Sequence, residues 1–284
     1  MYTNQLRRTM MPCIMLLASL VFSCEDDITS PPVIADPDAA TVARAIYSSR
    51  TVDFNNRTDG TYTSSEATTD FGNVSGWNDS RAYNSGGTCR IAVLKNALGS
   101  ASGMLSQIDV SDGDEYELQF DAKFHSAFEW SRGGKVGFGL YIGDGNTGCD
   151  KADDGLGGSL RVMWYQDDSG RTYFRPYAYY KDMPESCGNN FGKSYPSSGS
   201  ISKATWYTIK LYAKSNTGTS TNGYIRVTIN GTTVVGQSIR WTTDDSKRLI
   251  RRLFFHTFRG GSTSNWQAST DSYIYYDNVI WRNI

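Results

Sequence analysis

Three short stretches set cations and tyrosines at alternate positions, the spacing that puts side chains on one face of a strand. Lys135, Gly137, Gly139 and Tyr141 share a parity after Gly133-Gly134; Ser159, Arg161 and Met163 share one; Tyr173, Arg175, Tyr177 and Tyr179 share another. One such row is ordinary cross-strand packing on a half-buried sheet. Three rows together build a polar, aromatic, cationic face suited to an acidic polysaccharide. Glycines flanking Lys135 leave a low surface on which a bulky chain can lie. A tyrosine starts near a pKa of about 10, and neighbouring cations draw that value down, so the tyrosine row reads as an acid/base set.

Strands must hold these residues. Tyr116 to Phe124 alternates strictly, with Leu118, Phe120, Ala122 and Phe124 on one face and Gln119, Asp121, Lys123 and His125 on the other. Further strand signals run over Val136–Ile142, Leu160–Tyr165, Thr172–Tyr180, Thr205–Ala213, Gly223–Ile229, Leu253–Phe258 and Tyr273–Trp281. Asn230-Gly231 marks a hairpin turn into Thr232–Val235. Thr51–Gly87 is polar, with few apolar anchors, and reads as loop or edge strand; Ala39–Tyr47 reads as a short helix. The fold class is all-β, a two-sheet β-sandwich or jelly roll, in one domain over residues 51–284.

Composition narrows the function. The 284 residues carry 28 Lys+Arg against 29 Asp+Glu, so there is no basic footprint for nucleic acid. Two histidines leave little room for a multi-histidine metal centre. Serine-hydrolase elbows, zinc-protease helices, phosphate loops and the E-x-D-x-x-E spacing of retaining laminarinases are missing. Asp144, Asp150, Asp153 and Asp154 lack calcium-loop spacing and read as an acidic surface loop.

Residues 1–23 read as a lipoprotein signal peptide, with Arg7 and Arg8 before an apolar run from Met10 to Phe22. Leu20-Val21-Phe22-Ser23-Cys24 resembles a bacterial lipobox, which makes Cys24 the lipidated first residue of the mature chain. Glu25-Asp26-Asp27 resembles the export tag of surface lipoproteins in Bacteroidetes-type bacteria. Residues 24–50 then form a tether, with Pro31-Pro32 and Pro37. The expected location is the bacterial outer membrane, at the cell surface, as a monomer. Export leaves Cys89, Cys149 and Cys187, hence one disulfide and one free thiol; Cys149–Cys187 is favoured, but the spacing leaves the pairing open.

Gly133-Gly134-Lys135-Val136-Gly137, Gly148-Cys149, Ser159-Leu160-Arg161-Val162-Met163-Trp164 and Tyr173 follow one another in an order that resembles polysaccharide lyase family 14. Cys89 to Lys95, Thr257-Phe258-Arg259-Gly260-Gly261 and Tyr276-Asp277-Asn278 extend the likeness over Thr88–Ile284. The resemblance implies a jelly roll cleaving alginate or glucuronan by β-elimination, without a cofactor. Lys135 matches the family's essential lysine, and Ser159, Arg161 and Tyr173 its serine, arginine and first tyrosine. The second family tyrosine falls on Arg175, with Tyr177 next on that face. Elimination removes a proton beside a carboxylate, so cations must neutralise the charge that develops. Lys135 and Arg161 are assigned to the carboxylate and Tyr173 to the C5 proton, with Tyr177 its alternative. Ser159, Arg175, His125 and Tyr179 are assigned to substrate binding. A non-catalytic glycan-binding lipoprotein on the same scaffold is the competing expectation.

Overall fold

In the computed structural model, which describes residues 45–284, the alternating stretches pair into two antiparallel sheets. The early strands are β1 (Ser49–Val52), β2 (Gly60–Thr61), β3 (Val74–Ser75), β4 (Ala82–Asn84) and β5 (Cys89–Val93). Next come β6 (Met104–Gly113), β7 (Glu115–Phe124), β8 (Gly133–Lys135), β9 (Phe138–Gly143), β10 (Gly157–Gln166) and β11 (Thr172–Tyr179). The chain ends with β12 (Trp206–Lys214), β13 (Gly223–Ile229), β14 (Thr232–Ile239), β15 (Ile250–Arg259) and β16 (Ser272–Asn283). One sheet runs β14-β13-β12-β7-β16-β5-β4-β2, with β1 also on β16; the other runs β11-β10-β8-β15-β6-β3, with β9 beside β8 between β10 and β15.

The two sheets bury their facing sides against each other. Leu118, Phe120, Ala122 and Phe124 are all fully buried, as the alternation predicts. Phe120 meets Phe138 at 5.5 Å between ring centroids, and Phe124 meets Trp164 and Phe174 at 5.7 and 5.9 Å. Asn230-Gly231 closes the β13–β14 hairpin, with Ile229 opposite Thr232.

Several expectations change. The strand expected over Val136–Ile142 is broken at Val136-Gly137, where Gly137 adopts φ +70°. Its N–H donates to the Tyr276 hydroxyl at 2.9 Å, so a buried phenol holds the break. Gly137 therefore turns toward the Phe120 ring in the core and leaves the face of Lys135. Gly134 does not provide a low surface either, because the Trp164 ring packs where its side chain would be. Within Thr51–Gly87 lies an α-helix, α1 (Ser64–Phe71), started by a capping box: Thr63 Oγ1 accepts from Glu66 N–H, and Thr63 N–H donates to the Glu66 carboxylate. Thr63-Ser64-Ser65-Glu66 was its sequence signal, and Phe71 anchors it in the core. The long strand β6 was also missed, although Ser106, Ile108 and Val110 alternate. Of the helix expected at Ala39–Tyr47, the described residues 45–47 are not helical, and Tyr47 bridges to Val110. The signal peptide, Cys24 and the tether up to residue 44 lie outside the described residues. Cys149 and Cys187 form a disulfide, and Cys89 is a buried free thiol.

Candidate active site

The outer side of the seven-stranded sheet carries the cationic rows, and strand register decides which side chains meet. Met163 on β10 lies opposite both Lys135 on β8 and Arg175 on β11. The next row pairs Arg161 with Tyr177, and the one after it Ser159 with Tyr179. From β15, Phe258 lies opposite Lys135, and His256 faces the same way. These rows line a cavity of about 560 Å³ whose walls include Lys135, Arg161, Met163, Arg175, Tyr177 and His256. Trp266 and the Cys149–Cys187 disulfide close its rim. Gly139 has a defined use here: the aliphatic stem of Arg161 lies where a side chain at that position would go.

Burial sets the electrostatics. Lys135 is 7% exposed, Arg161 3% and His256 7%, which makes each charge costly unless something compensates it. Lys135 Nζ sits 3.5 Å from the centroid of the Tyr177 ring and 3.9 Å from Met163 Sδ. Arg175 lies 4.0 Å over the Tyr165 ring. Among the described residues, no ion pair involves Lys135, Arg161 or Arg175. The Nε atoms of both arginines are buried without an acceptor. Burial first, then Arg161 and Arg175, hold the Lys135 amine well below the usual lysine range. Burial, Arg161 and Lys135 likewise push His256 well below the ordinary histidine value, so it is neutral. Its Nδ1 lies 3.5 Å from Arg161 Nη1.

The tyrosines behave opposite to expectation. Burial and the hydrogen bond with Tyr179 raise the Tyr177 phenol, outweighing the downward pull of Arg161 and Arg175. Burial also raises Tyr173. Both are phenols rather than tyrosinates at neutral pH.

Register also revises the assignments. Tyr173 shares the face of Arg175 and Tyr177 but lies outside the cavity wall, opposite Tyr165 and 4.3 Å from the Arg171 guanidinium. Parity sets the face only; the four-residue step from Tyr173 to Tyr177 covers about 13 Å. His125 is on the other sheet, stacked on Tyr275, and does not reach this site. Ser159 and Tyr179 lie behind the wall. Ser159 Oγ donates to the Asn146 carbonyl at 2.7 Å and accepts from Arg161 Nη2 at 3.5 Å. The Tyr179 hydroxyl accepts from Cys149 N–H at 2.9 Å and lies 3.3 Å from the Tyr177 hydroxyl. Both position their neighbours. His256 and Trp266 were not foreseen; the parity of His256 with Phe254 and Phe258 in Leu253–Phe258 was the available signal for the histidine. The acidic loop pairs with lysines, Asp144 with Lys247 and Asp153 with Lys151. Among the described residues, no group of three or more acidic, histidine or cysteine side chains is placed to hold a metal ion.

A carboxylate polymer entering this cavity would find buried guanidinium groups, a depressed amine and a protonated phenol. The family model Polysaccharide lyase 14 matches residues 88–279. The solved alginate lyase Aly36B is 59% identical, covering 84% of this chain and 98% of its own, with a TM-score of 0.83. A variant of it with a lysine and a tyrosine replaced holds alginate tetrasaccharide, at 58% identity, a TM-score of 0.84 and the same two coverages. Another, with that lysine and a methionine replaced, holds alginate trisaccharide. A family-14 alginate lyase from Aplysia kurodai shares the fold at 22% identity, covering 84% of this chain and 100% of its own, with a TM-score of 0.64. No curated protein matches.

Proposed function

We propose a substrate and a division of roles for this chain, which belongs to polysaccharide lyase family 14 and is a polysaccharide lyase: it cleaves alginate, with Lys135 as base and Tyr177 as acid. The observation that carries this is the convergence in one cavity of two guanidinium groups and a lysine amine held well below its usual range, without a carboxylate among them. Such an arrangement is unfavourable until an anionic ligand enters. The variants of Aly36B support the roles. Its replaced lysine and tyrosine stand 42 positions apart, as Lys135 and Tyr177 do, and its lysine and methionine 28 apart, as Lys135 and Met163 do.

Arg161 and Arg175 bind the uronate carboxylate, neutralising the charge that grows as the C5–H bond breaks. The neutral Lys135 amine takes the C5 proton, the released electron pair forms the C4=C5 double bond, and the C4–O4 bond breaks. The Tyr177 hydroxyl gives its proton to the departing O4. The ammonium and phenolate left behind are neighbours, and a proton returned from one to the other restores both. Ser159 and neutral His256 orient Arg161. This replaces the reading in which Lys135 only neutralised charge and Tyr173 moved the proton. Family membership also sets aside the non-catalytic glycan-binding expectation. The lipobox at Cys24 supports a lipid-anchored protein on the outer surface of a bacterial cell.

Mixing the protein with alginate should raise absorbance in the unsaturated-uronate band. No rise with alginate while another uronan gives one would overturn the substrate, and no rise with any uronan would overturn the mechanism.

A further inference from the structure

His125 lies in a second feature that the catalytic cavity does not use. On the outer face of the nine-stranded sheet, turned away from that cavity, five strands carry one cross-strand row: Tyr83 opposite Arg90, Arg90 opposite Tyr275, Tyr275 opposite Lys123 and Lys123 opposite Trp206. Aromatic and cationic side chains alternate along it. The Arg90 guanidinium lies 4.4 Å over Tyr83 and 5.0 Å over Tyr273; Lys123 Nζ lies 4.5 Å from the Trp206 ring and 5.0 Å from that of Tyr275. His125 stacks on Tyr275 at 6.1 Å, joining the two halves.

The next row of this face sets Asp121 opposite Asp277, and the other cations of the face are paired. Lys210, Arg226 and Arg282 pair with Glu117, and Lys214 pairs with Glu115. Arg90 and Lys123 have no carboxylate within salt-bridge distance among the described residues; they rest on rings, which leaves their charge uncancelled. Of the large hydrophobic side chains left exposed among the described residues, Tyr83 and Trp206 stand at the two ends of the row.

We infer that this strip is a second, non-catalytic binding site for an anionic polysaccharide, whose sugar rings stack on the tyrosines and Trp206 while its carboxylates meet Arg90 and Lys123. Four strand spacings of about 4.8 Å give a strip about 19 Å long, enough for several sugars in line. The strip holds polymer on the face opposite the cavity and raises the local concentration of chain ends and loops available for cleavage. The choice of a uronan as ligand rests on the substrate proposed above; the geometry of the strip does not.

Calorimetric titration of the full chain carrying Lys135→Ala, which removes turnover, with alginate tetrasaccharide should give two equivalents bound. Adding Arg90→Glu and Lys123→Glu should leave one. The milder Trp206→Ala should weaken the second equivalent by about tenfold, the effect of losing about 1.4 kcal/mol. With Lys135 intact, Arg90→Glu/Lys123→Glu should cleave the tetrasaccharide at the parent rate, which also reports correct folding. Fewer than two equivalents in the Lys135→Ala chain, or two equivalents of unchanged affinity in both strip variants, would overturn the strip. Two equivalents bound with no unsaturated uronate released from alginate by the parent would leave the strip standing and remove the substrate reading. Release of unsaturated uronate with one equivalent bound removes the strip alone.

Discussion

Lys135 is buried beside Arg161 and Arg175 with no carboxylate to offset them, so the residue assigned to the base also destabilises the fold that carries it. Lys135→Met keeps the stem's packing and removes the buried amine. We expect turnover to fall by at least about 10²-fold while stability rises by about 1 kcal/mol, or about 2–4 °C in Tm; thermal melts and uronate absorbance read the two effects separately. Tyr177→Phe should lower kcat by about 10²–10⁴-fold with tetrasaccharide binding retained, whereas Tyr173→Phe should change it by no more than a few-fold. Equal losses in the two variants would return Tyr173 to the chemistry.

The pH dependence follows from the same pair. The folded pKa of Lys135 lies below its unfolded value, so between the two the unfolded chain binds a proton that the fold does not. This group's contribution therefore makes stability rise with pH through that window, up to about 10.5. The neutral amine is the active form, so kcat/KM should rise with pH through the folded lysine value. It should fall only above the ordinary tyrosine range of about 10, because Tyr177 is raised. A pH–rate profile whose acid limb persists unchanged in a residually active Lys135→Arg variant would contradict the assignment.

The break between β8 and β9 decides where Lys135 ends up. A continuous strand over 133–143 would carry Gly137 on the lysine's face; φ +70° at Gly137 turns it inward, and across the break the register on β10 shifts by two residues, which sets Lys135 opposite Met163, while β15 keeps one register along both halves. Gly137→Ala adds a Cβ 2.3 Å from the Phe120 ring at a backbone angle that alanine avoids. We expect a loss of about 1–3 kcal/mol in urea denaturation and a larger fractional loss of kcat than that of binding, since the lysine moves with the bend. The capping box of α1 shows the same logic at a smaller element, where Thr63 and Glu66 start a helix inside a polar stretch and Phe71 ties it to the core.

At the level of the whole protein, the two outer faces take different parts: one sheet carries the cavity, and the other carries the aromatic and cationic strip. A lipid on Cys24 would hold both near a cell surface. Cys24→Ala should move the protein from the membrane fraction to the soluble one with its circular dichroism spectrum unchanged. Mass spectrometry finding an unmodified mature N-terminus elsewhere would contradict the anchor.

Period-two alternation was sufficient to assign the all-β sandwich, the inward face of Tyr116–Phe124 and the Asn230-Gly231 hairpin, because each depends on neighbours in the chain. The same parity put Tyr173, Arg175 and Tyr177 on one face of their strand and Arg161 with Met163 on one face of theirs. It could not rank them, since proximity across strands depends on register: Arg161 meets Tyr177, while Tyr173 meets Tyr165. His125 looked like a site residue from its place beyond an alternating strand, yet that strand belongs to the other sheet. The direction of the tyrosine pKa shift also required the fold. Cations near in sequence argued for a lower value, but desolvation depends on what covers the phenol, and burial won. The sequence thus carried the residue types and their faces. Register, the bend at Gly137 and burial assembled from them a base, an acid and a carboxylate-binding pair.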